Sequence, residues 1–320
     1  MDQNSRIFVA GGSTPLGRAL LERLRADGSH CIVGAPPDEP DLTDAGRVAA
    51  FFEWERPQYV FLTAGRSGGI GANRDRPADL MLDNLLTAVH VIREAHRAGV
   101  SRLLYLASSC SYPRVAPQPM RPESLLAGPP EPTSDAYAVA KLAGWKLCQA
   151  YRRQYGASFV TAIPANSFGP FDDFGSDSGH VIPALMRRMH EAKVRGHDAV
   201  AVWGSGRPLR EFLYVRDLAD ACLFAMRRYD GEAPINLGGG PEHSVAETAR
   251  RIAEVVGYRG RIVFDAGRPD GAPRKALDSS ELVALGWRAA TDFRTALQET
   301  YTWFCTHEAT EGRPHARAAV

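Results

Sequence analysis

Tyr137 and Lys141 stand four residues apart in Ser134-Asp-Ala-Tyr-Ala-Val-Ala-Lys-Leu-Ala-Gly, a stretch that reads as a helix with a Ser or Asp cap. At that spacing the two side chains share one helix face. An unperturbed phenol titrates near pH ~10, poorly matched to proton transfer at neutral pH. A fixed ammonium beside it favours the phenolate. Upstream, Arg102-Leu-Leu-Tyr-Leu-Ala107 has the length and apolar content of a buried strand, so Ser108, Ser109 and Cys110 fall just past its carboxyl end. That edge of an open parallel sheet is where ligands bind. A phenol, an ammonium and a serine hydroxyl to hold a substrate oxygen suit the movement of a proton at a carbonyl or alcohol while a hydride moves at carbon. Alone, the Tyr-Lys spacing is a weak signal, since it arises on many amphipathic helices.

The elements that would position this chemistry begin at the N-terminus. Ile7-Phe-Val-Ala is a short buried strand running into Gly11-Gly-Ser-Thr-Pro-Leu-Gly17 and then an apolar-periodic helix, Leu16 to Leu24. Strand, glycine turn and helix start together offer backbone N–H groups and a helix dipole to a pyrophosphate, with Gly11 and Gly17 allowing the tight turn and close packing. A second strand, Cys31-Ile-Val, leads to Ala35-Pro-Pro-Asp38-Glu-Pro-Asp41-Leu42, which should face the adenosine ribose. An acid about 20 residues past the glycine turn suits NAD, and an arginine suits NADP. No Arg or Lys occurs from Ala26 to Gly46. Asp38 and Asp41 fit the ribose role, and equally a solvated turn.

A helix Ala45 to Trp54 leads to strand Tyr59-Val-Phe-Leu, then Thr63-Ala64-Gly65 beside the expected cofactor and a loop, Arg66-Ser-Gly-Gly-Ile-Gly. The helix Ala78 to Ala98 carries Asn84, expected to brace the active-site strand, and His90 and His96, read as packing or surface residues. After strand Phe159-Val-Thr-Ala-Ile, the turn residues of Pro164-Ala-Asn166-Ser-Phe-Gly-Pro170 mark where the chain leaves the nucleotide-binding half. His180 begins another helix, and Trp203, Arg207 and Arg210 cluster in Val200-Ala-Val-Trp-Gly-Ser-Gly-Arg-Pro-Leu-Arg, where two guanidinium groups suit a diphosphate and the indole an apolar wall. Further signals are a helix from Val215, a strand Ile235-Asn-Leu-Gly, a helix capped by Ser244, and a polar tail from Thr306. Alternating strands and helices make the fold α/β, a Rossmann-type doubly wound parallel sheet with a smaller C-terminal substrate-binding region. The expected division is a dinucleotide-binding domain over 1–165, regained by a segment near 207–238, and a substrate region over 166–320.

The 320 residues are 44% hydrophobic with a formal net charge of +1, enough for a full core and without the basic surface a nucleic acid would need. Five scattered cysteines without CxxC spacing argue against a disulfide framework or a zinc site and point to a reducing cytoplasm. No apolar run approaches the ~18 residues of a membrane span, and no signal peptide precedes the first strand.

Several motifs together resemble the GDP-L-fucose synthases, extended short-chain dehydrogenases/reductases that epimerise C3 and C5 of GDP-4-keto-6-deoxy-D-mannose and reduce C4. They are Ser108-Ser-Cys-Ser-Tyr-Pro113, Glu131-Pro-Thr-Ser-Asp-Ala-Tyr-Ala-Val-Ala-Lys141, His180-Val-Ile-Pro-Ala-Leu, Val202-Trp-Gly-Ser-Gly206, Arg210-Glu-Phe-Leu and Pro269-Asp-Gly-Ala-Pro-Arg-Lys275. The resemblance implies reduction by Ser108, Tyr137 and Lys141, and epimerisation by Cys110 and His180 as base and acid. It implies a nucleotide-sugar site at Ser109, Asn166, Arg188, Trp203, Arg210 and Lys275. It further implies a cofactor shell of Gly11, Ser13, Thr14, Leu16, Gly17, Asp41, Leu42, Ala64, Tyr137, Lys141, Pro164, Asn166 and His180. NADPH is the cofactor and a homodimer the assembly expected by that likeness. Three positions depart from it: Thr14 replaces the middle glycine of the turn, and Ser13 and Pro37 stand where the arginines that hold the 2′-phosphate would be, which leaves NADH or a tightly bound NAD open. The rival readings are a reductase-only or epimerase-only enzyme on a related nucleotide 4-ketosugar, and a non-catalytic dinucleotide-sensing module.

Overall fold

The computed structural model describes residues 1–68, 70–175, 180–268 and 270–308. Its main sheet is built from β1 (Ile7–Ala10), β2 (Ile32–Val33), β3 (Tyr59–Leu62), β4 (Arg102–Leu106) and β5 (Phe159–Pro164), each separated from the next by helix. Short runs of apolar residues buried on both faces suit a parallel sheet, and in β1 all four residues are buried. Phe8 packs on Phe51 and Phe52 at centroid distances of 4.4 and 5.9 Å. Helix Pro15–Ala26 buries Leu16, Leu20 and Leu24, one stripe at helical spacing. Each fully buried side chain of this kind stabilises the fold by about 1.5–3 kcal/mol.

The chain continues through β6 (Asn166–Phe168), helix Val181–Arg195, β7 (Ala199–Trp203), β8 (Leu209–Tyr214), helix Val215–Arg228, β9 (Ile235–Leu237), β10 (Glu242–Ser244), helix Val245–Val256, β11 (Arg261–Asp265) and β12 (Arg274–Lys275). The main sheet runs in the order β2-β1-β3-β4-β5-β9, every pair parallel. The order reverses at β1, so a crevice opens at the carboxyl ends of β1 and β3. β9 completes the sheet late in the sequence, and the helix before it, Val215–Arg228, packs on Pro15–Ala26.

The second part is held by β8, which pairs with β10, β12 and β6, while β7 pairs with β11. The register sets Lys275 opposite Arg210 and Asn166 opposite Phe212. Apart from β9, none of these strands was marked by the sequence pattern. Where a loop over 66–71 was expected, a helix Ile70–Asp75 forms. The expected polar tail lies mostly outside the described residues, from Ala309 onward. Among the described residues no helix is long and apolar enough to cross a membrane.

Candidate active site

The turn after β1 packs against the end of β3 so closely that a Cβ on Gly11, whose φ is +100°, would meet the Ala64 nitrogen at 2.4 Å. A Cβ on Gly17 would lie 1.9 Å from the Gly11 carbonyl oxygen. Thr14 needs no such freedom: its φ and ψ of −72° and 159° are open to any residue. Its hydroxyl donates to Gly11 O at 2.7 Å and accepts from Gly17 N at 3.0 Å, capping helix Pro15–Ala26. The missing middle glycine is therefore replaced by a side-chain cap. Thr14, Pro15 and Leu16 line a cleft of about 680 Å³ that reaches Ser108, Tyr137 and Lys141. A nicotinamide dinucleotide fits this arrangement, with its pyrophosphate at the helix start.

The acid at the glycine turn is not Asp41. That carboxylate accepts from the Thr43 backbone and hydroxyl at 2.9 and 2.7 Å on an exposed turn, and Leu42 offers its carbonyl to His90 at 3.2 Å. Glu39 reaches the turn instead, its carboxylate accepting from Gly11 N and, at 3.3 Å, from Gly12 N. Burial raises its pKa while these backbone donors lower it. Four acids lie close together between Asp38 and Asp44, and which one turns inward is decided by the path of the backbone. A carboxylate here suits a ribose hydroxyl and opposes a 2′-phosphate. Glu39→Gln is expected to raise the ratio of kcat/KM for NADPH over NADH by about tenfold, equivalent to ~1.4 kcal/mol. Initial rates with each dinucleotide check this, and an unchanged ratio would remove Glu39 from the selection.

Lys141 is 5% exposed, and its Nζ donates to Ala64 O at 3.2 Å and Leu106 O at 3.3 Å, tying the ends of β3 and β4 together. Burial lowers its pKa to about 8. Its Nζ lies 6.0 Å from the Tyr137 ring centroid. The ammonium was expected to acidify the phenol, but the structure runs the other way. Burial and the nearby Cys110 charge raise the Tyr137 pKa, and only the Ser108 hydrogen bond lowers it. Asn84 also differs from expectation: its side chain donates to Arg66 O at 2.9 Å and Leu80 O at 2.7 Å, bracing the loop after β3 rather than the β4 strand. His90 is buried and His96 stacks on Tyr155 at 4.4 Å, both as packing groups.

Cys110 sits in the single turn Ser109–Ser111 that follows β4, where its backbone N–H is capped by the Ser108 hydroxyl at 3.1 Å. Burial pushes its thiol up, but the Lys275 ammonium, whose Nζ lies 3.4 Å from Sγ, and the hydroxyls of Ser108 and Ser134 bring it below the ordinary value. His180 stands at the N-cap position of helix Val181–Arg195 without a side-chain capping bond, and its Nδ1 lies 3.6 Å from the buried Asp172 carboxylate. That pairing raises the imidazole pKa, opposed by desolvation. The sequence reading missed Ser134, Asp172 and Glu39; Asp172 follows the turn residues after β6, with no periodicity to mark its direction.

Of the remaining expected residues, Ser109, Pro164, Asn166, Arg188, Trp203, Arg210 and Lys275 all line the same cleft. Arg210 donates to Leu209 O at 2.8 Å and Ala272 O at 2.6 Å, and Arg188 to Ala201 O at 2.9 Å. Asn166 Nδ2 donates to Glu211 O at 3.0 Å. Trp203 is 54% exposed, with the Arg268 guanidinium 4.9 Å above its ring. Gly11, Ser13, Gly17, Asp41, Leu42, Ala64 and Arg207 do not line it.

The NAD dependent epimerase/dehydratase family matches residues 7–238. GDP-L-fucose synthase 1 of Arabidopsis thaliana is 47% identical over 303 residues, covering 95% of this chain and 94% of its own. GDP-L-fucose synthase of Escherichia coli is 43% identical, with 95% and 97% covered. The chain belongs to the NAD dependent epimerase/dehydratase family, in its GDP-L-fucose synthase branch. A solved GDP-L-fucose synthetase from Naegleria fowleri bound to NADP superposes on this synthase fold with a TM-score of 0.89 at 31% identity, covering 97% of each chain. A GDP-D-glycero-L-gluco-heptose synthase from Campylobacter jejuni, solved in the presence of NADPH, gives 0.86 at 31% identity, covering 96% of this chain and 99% of its own. The GDP-L-fucose synthase branch thus extends over both the main sheet and the smaller sheets around β8.

Proposed function

We propose that this protein converts GDP-4-keto-6-deoxy-D-mannose into GDP-L-fucose, inverting C3 and C5 and reducing C4. The observation that carries this reading is one cleft lined at once by Ser108, Tyr137 and Lys141 and by Cys110 and His180. A 4-ketone acidifies the hydrogens on both neighbouring carbons. The Cys110 thiolate takes the proton from C3, the charge passes to the carbonyl oxygen held by Ser108 and Tyr137, and His180 returns a proton on the opposite face; once Cys110 has passed its proton to solvent and His180 has regained one, C5 follows the same course. NADPH, when bound, supplies the hydride that C4 gains. Tyr137 then gives its phenolic proton to the C4 oxygen, and a raised pKa suits this step because the phenol must arrive protonated. Arg188 and Arg210 suit the diphosphate and Trp203 the base.

Incubation with GDP-4-keto-6-deoxymannose and NADPH should consume the reduced nicotinamide and yield GDP-L-fucose. Absence of turnover with either NADPH or NADH would sink the proposal. Solvent deuterium entering C3 and C5 without reduced cofactor separates this reading from a reductase-only enzyme. The five cysteines are free, in keeping with a reducing cytoplasm as its place of action. Leu82 and Val89, exposed on helix Pro77–Arg97, and Val139, exposed on Asp135–Tyr155, support pairing of these helices in a homodimer.

A further inference from the structure

We infer that Lys275 is a positioning residue for epimerisation, whose ammonium, 3.4 Å from Cys110 Sγ, is the main charge that keeps that sulfur in its thiolate form. This rests on the assignment of Cys110 as the base. In thiol-imidazole pairs the histidine commonly supplies the charge that holds the sulfur ionised. Here the imidazole is engaged 3.6 Å from Asp172 and must be free to deliver its proton to carbon, so a second cation separates the two duties. Cys110 gains the C3 or C5 proton and afterwards releases it; no bond to the lysine forms or breaks.

The placement of this cation is built into the backbone. β12 pairs with β8 on one side, with Lys275 opposite Arg210. Beyond it the chain is fastened to the segment that follows the Cys110 turn: Met120 N donates to Ala276 O at 2.8 Å, Ala276 N to Gln118 Oε1 at 3.0 Å, and Asp278 N to Met120 O at 2.9 Å. Asn236 closes the connection, donating to Met120 O and Asp278 O at 2.9 and 3.0 Å and accepting from the Tyr112 hydroxyl at 2.7 Å. Tyr112 lies two residues past Cys110, so sulfur and ammonium are registered through one buried amide. The groups facing the sulfur are Lys275 from β12, Ser134 and Tyr137 from the segment carrying the Tyr-Lys helix, His180 from the start of helix Val181–Arg195, and Ser108 from its own turn. Burial alone would hold Cys110 neutral, and Lys275 heads the opposing interactions.

The test is the pH dependence of Cys110 alkylation by iodoacetamide in the substrate-free full chain, followed by peptide mass mapping so that Cys31 and Cys305 are scored separately. The wild type should show an inflection below the ordinary thiol value of about 8.5. Lys275→Met should move it up by about one unit, slowing alkylation at neutral pH roughly tenfold. Lys275→Arg should restore the low inflection, and His180→Asn should move it by less than Lys275→Met does. An inflection in Lys275→Met equal to wild type would overturn the inference, as would a wild-type inflection at or above the ordinary value, which holds even if the methionine variant does not fold. The measurement uses no sugar nucleotide, so its failure is distinct from failure of the proposed conversion.

Discussion

Tyr137→Phe is expected to slow reduction at C4 by roughly 10²–10⁴-fold while solvent exchange at C3 and C5 continues. The phenol is the group placed to protonate the oxygen as hydride arrives, and Ser108 alone supplies a hydrogen bond without an expendable proton of suitable acidity. The sign of the pH dependence follows from Lys141. Burial lowers its pKa to about 8, so the cation is present below that pH and lost above it. Reduction should therefore fall as pH rises through about 8, as the ammonium that ties the ends of β3 and β4 beside the site loses its charge. Following the absorbance of reduced nicotinamide with epimerised substrate isolates this step. A full-rate Tyr137→Phe enzyme would mean that another group gives the proton.

Cys110→Ser is expected to cut deuterium incorporation at C3 and C5 by roughly 10²–10⁴-fold and to leave direct reduction of the un-epimerised ketone within reach. A serine hydroxyl in the same turn keeps the shape, but its proton is held too tightly for a base at neutral pH. In the wild type the thiol pKa is lowered and the imidazole pKa is raised. Exchange should accordingly be bell-shaped, with the acidic limb set by protonation of the sulfur and the basic limb by loss of the His180 proton. Because the two charges interact, the limbs report values of the pair. Persistent exchange in Cys110→Ser, measured by mass spectrometry of the recovered sugar nucleotide, would assign the base elsewhere.

What could be foreseen from the sequence follows physical range. The glycine turn, the strand before Ser108 and the Tyr137 helix rest on contacts between near neighbours in the chain, and their periodicities are long enough to read. Cys110 and Lys275 are 165 residues apart, and the pairing of β12 with β8 and the bonds between Met120 and the chain after Lys275 bring them together. β6, β10 and β12 are two or three residues long, too short for alternation to separate strand from loop. Glu39 was hidden among neighbouring acids. The supposed effect of Lys141 on Tyr137 failed for a different reason: helical spacing shows that two side chains share a face, but the ammonium turns toward the strand-end carbonyls.

Those carbonyls also constrain Gly65, which adopts a φ of +153° between the end of β3 and the lysine. A methyl group there would lie 2.6 Å from both Lys141 Nζ and Asn84 Oδ1. A side chain at position 65 is thus opposed first by the backbone conformation itself, and would also have to displace the ends of Lys141 and Asn84. A lineage that abandons this proton chemistry could therefore lose the lysine or the amide, whereas position 65 stays glycine for as long as the end of β3 keeps its path.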